Sequence, residues 1–222
     1  MLIGLIGLKG SGKDTAAGIL AEHGFIRMAF ADELYKEVAA AYEVTPEFLS
    51  DRDRKETPLE RLALRYCRDP KFVGLFTAVH APGGLTAEEV LSAPRSPRWV
   101  VQNWGTEYRR QSQWGRDDYW VDPVMRKIDS RPGARVVLSD VRLPNEVWAI
   151  RNRAGALMRI RRRKIEEDDA KAVAAGLASA LHTSEVLARV CKVDFEVENV
   201  EGDPGAMRDA LAEYVIRLKS AA

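Results

Sequence analysis

Apolar residues near the start of the chain run without interruption through Leu2-Ile3-Gly4-Leu5-Ile6, which predicts a short buried strand. From Asp14 to Glu22 the spacing changes, and Ala16, Ile19 and Leu20 fall on one side of a helix. Phe25 to Phe30 reads as a second strand. Ala31 onward returns to helical spacing, with Leu34, Val38 and Ala41 together. Strand, helix, strand, helix is the start of an α/β fold.

The middle of the chain is less regular. About Pro46 to Arg68 is charged and reads as mostly helical, whereas Asp69 to Arg98 carries Pro70, Gly74, Pro82, Gly83, Gly84, Pro94 and Pro97. That density of breakers predicts a loop-rich insertion. Helices are expected over Trp99–Gln111, Tyr119–Ile128 and about Asn145–Arg153, and strands over Ala134–Ser139, Ala156–Ile160 and Val193–Val197. A last amphipathic helix runs from Pro204 to Leu218. Five strands with helices between them imply a parallel sheet flanked by helices.

At 222 residues the chain is long enough for one core with insertions. Its 34 basic and 33 acidic residues leave a formal net charge of +1, which argues against a protein that grips polymeric nucleic acid through its phosphates. Cys67 and Cys191 are the two cysteines, without Cys or His at metal-ligand spacing beside them, so we expect a reducing compartment, no structural zinc and two ordinary buried thiols. No signal-peptide pattern opens the sequence and no apolar run is of membrane-spanning length, from which we expect a cytoplasmic protein without a membrane partner.

Chemistry enters at Gly7-Leu8-Lys9-Gly10-Ser11-Gly12-Lys13-Asp14-Thr15, directly after the first strand. Glycines at 7, 10 and 12 let the backbone curl so that several N–H groups face one anion, and the following helix adds the positive end of its dipole. Gly7, Gly12 and Lys13 satisfy the phosphate-loop spacing G-x-x-x-x-G-K, with Lys13 able to reach the β- and γ-phosphates of a nucleotide. Asp14 stands where a Ser or Thr usually helps bind Mg²⁺, and the hydroxyl of Thr15 comes one place later. Small-molecule and nucleotide kinases often carry Gly-Lys-x-Thr here, so Asp14 and Thr15 are candidates for contacts to the metal through water.

Asp140 ends the predicted strand at 134–139, the edge of an open α/β sheet where ligands bind, and its carboxylate is a candidate for placing Mg²⁺. Arg142 lies over the same edge, and Glu146 follows it by one helical turn; a salt bridge or helix cap explains both as simply. The basic run Arg159-Ile160-Arg161-Arg162-Arg163-Lys164 opens a lid-like segment at about 161–183, whose cations would stabilise a transferring phosphoryl group or else cancel against Glu166-Glu167-Asp168-Asp169. Asp32 and Lys36 follow the second strand, on the side where a phosphorylated second substrate would approach, although Asp32 reads equally as a helix cap. For His182, with Thr183 or Ser184 as an N-cap, capping and packing outweigh catalysis.

With these pieces in order, the chain resembles the bacteriophage deoxynucleoside monophosphate kinases, in the P-loop kinase group. The resemblance is carried by Gly7 to Thr15, by Gln102-x-x-Gly105-Thr106-Glu107 with Arg110 and Tyr119-Trp120, by Asp140-x-Arg142-x-Pro144-Asn145-Glu146, and by His182-x-Ser184-Glu185. It implies a three-layer P-loop kinase fold over residues 1–222, with an acceptor-binding helical insertion at about 31–98. The implied reaction moves the γ-phosphate of ATP to a deoxynucleoside monophosphate with Mg²⁺. Gly10, Ser11, Gly12, Lys13, Asp14 and Thr15 would wrap the ATP phosphates, and Lys13, Asp140 and Arg142 would act in transfer. Arg110 and the lid arginines Arg161, Arg162 and Arg163 would clamp phosphates, while Gln102, Glu107 and Trp104 would line the acceptor, with Thr106 beside them. Nucleotide kinases of this kind include homodimers. Animal-type phosphomevalonate kinases share much of the phosphate loop and are the nearest rival enzyme. A motor or switch ATPase is a more distant rival, since motors generally place Ser or Thr where this chain has Asp14.

Overall fold

The computed structural model describes residues 1–80, 85–113, 115–177, 183–201 and 203–220. These residues form two compact units: Met1–Phe30 with Val121–Ala222, and Ala31–Trp120. The helical insertion expected at about 31–98 thus belongs to a unit that runs on to Trp120.

The first unit holds five strands: β1 (Leu2–Ile6), β2 (Ile26–Met28), β3 (Val136–Leu138), β4 (Ala156–Arg161) and β5 (Phe195–Glu198). They pair in the order β2-β3-β1-β4-β5, every pair parallel. Alternate residues of β1 enter opposite cores. Leu2 and Ile6 join one with Val136, Leu138 and Leu157, and Ile3 and Leu5 join the other with Val137, Met158 and Ile160. Helices α1 (Lys13–Glu22) and α11 (Pro204–Ser220) cover the Ile3 side, and α7 (Val121–Asp129), α8 (Pro144–Arg151) and α10 (Thr183–Val190) cover the Leu2 side. Burial on both faces is why β1 is apolar at every position rather than alternating.

β1 lies between β3 and β4, so the chain leaves it toward one edge of the sheet and later returns to fill the other. The crevice at the C-terminal end of β1 is therefore the switch point where open α/β sheets bind ligands, and residues 7–12 occupy it.

In the second unit, α2 (Ala31–Tyr42), α3 (Pro46–Ser50), α4 (Pro70–His80), α5 (Ala87–Ser92) and α6 (Pro97–Asn103) surround a core that includes Val38, Leu49, Phe72, Val100, Trp104 and Trp120. Two expectations are corrected here. The helices of 51–68 are only the short 3₁₀ turns Glu60–Leu62 and Leu64–Tyr66, and the described residues of 69–98 hold α4, α5 and the start of α6. The prolines misled because Pro70 and Pro97 begin helices, where a missing N–H costs nothing; Ser96 caps α6 through the N–H of Trp99, and Thr86 forms a capping box with Glu89. After α6 the chain widens into a π-helical turn, Trp104–Tyr108, across the Gly105-Thr106-Glu107 motif.

Cys67 and Cys191 are free thiols and are half-buried rather than enclosed; burial pushes the Cys67 thiol up to about 11. No helix among the described residues is long and apolar enough to cross a membrane.

Candidate active site at the end of β1

The loop after β1 is shaped by two glycines. Gly12 adopts φ 104°, a left-handed conformation open to glycine, and immediately precedes α1. Gly7 passes so close to the carbonyl oxygen of Ile160 and the hydroxyl of Ser11 that a Cβ would overlap both. Ser11 is buried, and its Oγ has no hydrogen-bond partner among the described residues.

Lys13 opens α1, and its Nζ donates to the carbonyls of Gly7 at 2.6 Å and Leu8 at 2.9 Å. Burial, helped by the positive charge of Arg142, pushes its ammonium down to about 8; Glu185, Asp14 and Asp140 oppose that shift. Lys13, Arg142, Asp140 and Glu185 thus form one electrostatic group at the loop.

Asp140 stands two residues beyond β3 and accepts the N–H of Phe30 at 2.8 Å, while the Ser139 N–H bonds the Met28 carbonyl at 3.0 Å. The carboxylate thereby ties the end of β2 to that of β3. Arg142 is set by Glu146, which is 2% exposed and accepts the N–H groups of Arg142 at 2.6 Å and Leu143 at 3.0 Å. This is a carboxylate in the first turn of α8, where the helix dipole favours it.

Other candidates are engaged elsewhere. Asp14 is exposed and bonds Arg27 of β2 at 2.7 Å, and Thr15 is exposed. Arg161 ends β4, with Nε and Nη2 on Glu166 at 2.8 and 2.9 Å and Nη1 on Glu196 at 3.3 Å. Arg162 bonds Glu201 at 3.1 Å, and Arg163 is the exposed first residue of α9 (Arg163–Ala174). A cavity of about 700 Å³ lies between this segment and the phosphate loop, lined by Leu8, Ser11, Ile165 and Val173 among others. The remaining stretch expected to complete the lid, including His182, and the side chains of Thr183 and Ser184 lie outside the described residues.

Within the second unit, Asp32 is inside the first turn of α2 rather than capping it, and Lys36 bonds Glu33 at 2.7 Å. Gln102 is in the last turn of α6, Thr106 and Glu107 are in the π-helical turn, and Arg110 follows it. Trp104 is core, 1% exposed against Phe72 and Tyr108. The neighbouring Arg109, which the sequence did not single out, is the cation that pairs with Glu37 and stacks on Tyr108 and Tyr119.

No protein-family model matches the chain. A protein of Acanthamoeba polyphaga mimivirus classed as a deoxynucleotide monophosphate kinase is 30% identical over 190 residues, covering 76% of this chain and 78% of the viral one. The chain belongs to the deoxynucleotide monophosphate kinase family.

The deoxynucleoside-5′-monophosphate kinase of Escherichia phage T5 is 28% identical over 176 residues, 66% of this chain and 70% of the phage enzyme. Among solved structures, dephospho-CoA kinase from Campylobacter jejuni is 14% identical with a TM-score of 0.47, covering 97% of this chain and 96% of that one. At that level of likeness the fold assignment rests on strand order and on the loop after β1.

Two residues of this family member that touch the loop carried little signal in the sequence. Glu185 of α10 accepts the N–H of Lys9 at 3.3 Å, and only its place in His182-x-Ser184-Glu185 pointed to it. Asn199, just past β5, donates to the Ser11 carbonyl at 2.9 Å. A single Asn after a strand has no pattern that could have marked it.

Proposed function

We propose that this family member transfers the terminal phosphoryl group of ATP to a deoxynucleoside monophosphate, giving the diphosphate and ADP. The observation that carries the reading is the placement of Lys13 at the start of α1, on a glycine-shaped loop, within the charge field of Arg142 and Asp140. Family membership supplies the acceptor class.

In this reading the loop N–H groups of Gly10, Ser11 and Gly12 and the N-terminus of α1 hold the donor phosphates. Lys13 leaves the Gly7 and Leu8 carbonyls for the β- and γ-oxygens, and Arg142 offsets negative charge on the transferring group. The acceptor phosphate is already an anionic nucleophile, so neither a general base nor a covalent enzyme intermediate is required.

Among the described residues no three His, Cys, Asp or Glu side chains form a metal cage, and the donors near Lys13 are carboxylate oxygens, which suits Mg²⁺ shared with substrate phosphates and water. Asp140 would hold it, with Asp14 and Thr15 as more distant contacts. When bound, Mg²⁺ would neutralise the donor phosphates and orient them.

Arg161 would reach phosphate by exchanging Glu166 and Glu196 for it, Arg162 by exchanging Glu201, and Arg163 from its exposed place at the start of α9; the cavity beside the loop has room for a nucleoside. Asp32, Lys36, Gln102, Thr106, Glu107 and Arg110 are proposed for the acceptor. Both substrates are cytoplasmic metabolites, and we place the enzyme there.

Competition between acceptors tests the proposal. ADP release should follow addition of one or more of the common deoxynucleoside monophosphates; turnover with phosphomevalonate alone would replace it with the rival kinase reading.

A further inference from the structure

Asn199 lies outside the phosphate loop and outside every motif the family resemblance rests on, yet it meets the loop at its turning point. Its backbone N–H bonds the Arg161 carbonyl at 2.7 Å, which continues the ladder between β4 and β5 by one step and fixes its Cα. From that anchored position the side-chain Nδ2 donates to the Ser11 carbonyl at 2.9 Å in a half-buried setting. The amide also packs against Gly12 so closely that a Cβ there would come within 2.5 Å of Nδ2 and 3.3 Å of Cγ.

We infer that Asn199 is a positioning residue for the phosphate loop, holding the peptide between Ser11 and Gly12 in the orientation that binds an anion. A trans peptide is planar, with its C=O and N–H on opposite edges. Capture of the Ser11 carbonyl by Asn199 therefore directs the Gly12 N–H away from Asn199 and prevents a flip that would turn the carbonyl toward a phosphate. Gly12 is particularly in need of such a restraint, because φ 104° is a conformation from which glycine moves easily. The same residue joins the loop to the end of β4, its side-chain amide holding the Ser11 carbonyl and its backbone N–H the Arg161 carbonyl at the root of the lid-like segment.

This inference rests on the reading of residues 7–15 as an ATP-phosphate cradle, and its test separates the two. Asn199→Ala removes the donor; Asn199→Asp keeps the shape and sets an acceptor against the Ser11 carbonyl. Both should weaken ATP binding about tenfold or more, with Asp at least as damaging as Ala, while the acceptor KM stays within about twofold. A residue that merely fills space would instead tolerate the isosteric Asp. Amide hydrogen exchange without nucleotide gives the second readout: Gly10 to Asp14 should exchange faster in both variants than in the parent. Parental ATP affinity and parental exchange in Asn199→Ala overturn the inference. If the parent itself fails to bind ATP, the proposed function fails, and the exchange comparison still decides whether Asn199 holds the loop.

Discussion

The carboxylate of Glu146 accepts the backbone N–H of Arg142 at 2.6 Å, which makes a buried acid the fixed point from which an arginine at the edge of the candidate active site is aimed. The two substitutions should separate chemistry from support. Arg142→Ala is expected to slow phosphoryl transfer about a hundredfold while the melting temperature changes little, because the role proposed for the guanidinium is to offset charge in the transition state. Glu146→Ala should cost about 1–3 kcal/mol of stability as well, since it strips two N–H groups of their acceptor. Glu146→Gln, which keeps an acceptor oxygen, should fall between. Kinetics and thermal melts on the three variants check this; an Arg142→Ala protein that melts early with parental turnover would make Arg142 structural.

Lys13 gives the pH prediction. Its ammonium sits near 8 in the folded protein against an ordinary 10.5, so above pH 8 the free protein progressively loses a charge that bound phosphate favours. ATP binding at pH 8.5–9 should therefore take up a proton, and affinity should fall as pH rises through 8. Calorimetry in buffers of different ionisation heat measures the uptake, which Lys13→Met should abolish. For folding the sign is opposite. Between 8 and 10.5 the unfolded chain keeps a proton that the folded one has released, so the parent should gain stability over Lys13→Met as pH rises through that window.

The approach of Ile160 and Ser11 to Gly7 makes Gly7→Ala informative. The added Cβ has nowhere to go without moving β4 or the loop, so a loss of about 1–3 kcal/mol is expected, together with weakened ATP binding. Urea melts and ATP titration should both register the change.

In the second unit, Asp69 joins two elements. One oxygen accepts the N–H groups of Lys71 at 2.9 Å and Phe72 at 3.1 Å at the start of α4, and the other accepts the Tyr108 hydroxyl at 2.8 Å. Asp69→Ala should cost about 2 kcal/mol or more, and Tyr108→Phe about 1, by denaturant melts.

These cases show which features the sequence could disclose. β1, the loop and α1 were legible because a doubly buried strand is apolar throughout and a phosphate cradle needs glycines at fixed spacing. Asp140 and Arg142 were legible because a strand ended just before them. Helices α4 and α5 were not, since Pro70 at the start of α4 and the Pro and Gly residues ahead of α5 look like breakers, whereas most of α6 fell within the helix expected over Trp99–Gln111. Glu166, the two-point partner of Arg161, was legible in the acidic run that follows it, but the other carboxylate partners of Arg161 and Arg162 were hidden for another reason. Glu196 and Glu201 are distant in sequence and reach the basic run only because β5 pairs with β4.

The most direct measurement follows the label from ATP carrying a radioactive γ-phosphate when a deoxynucleoside monophosphate is present. The account predicts labelled deoxynucleoside diphosphate, formed by the parent protein and nearly absent with Lys13→Ala. Label released only as inorganic phosphate, or no labelled diphosphate from any of the four common acceptors, would contradict it.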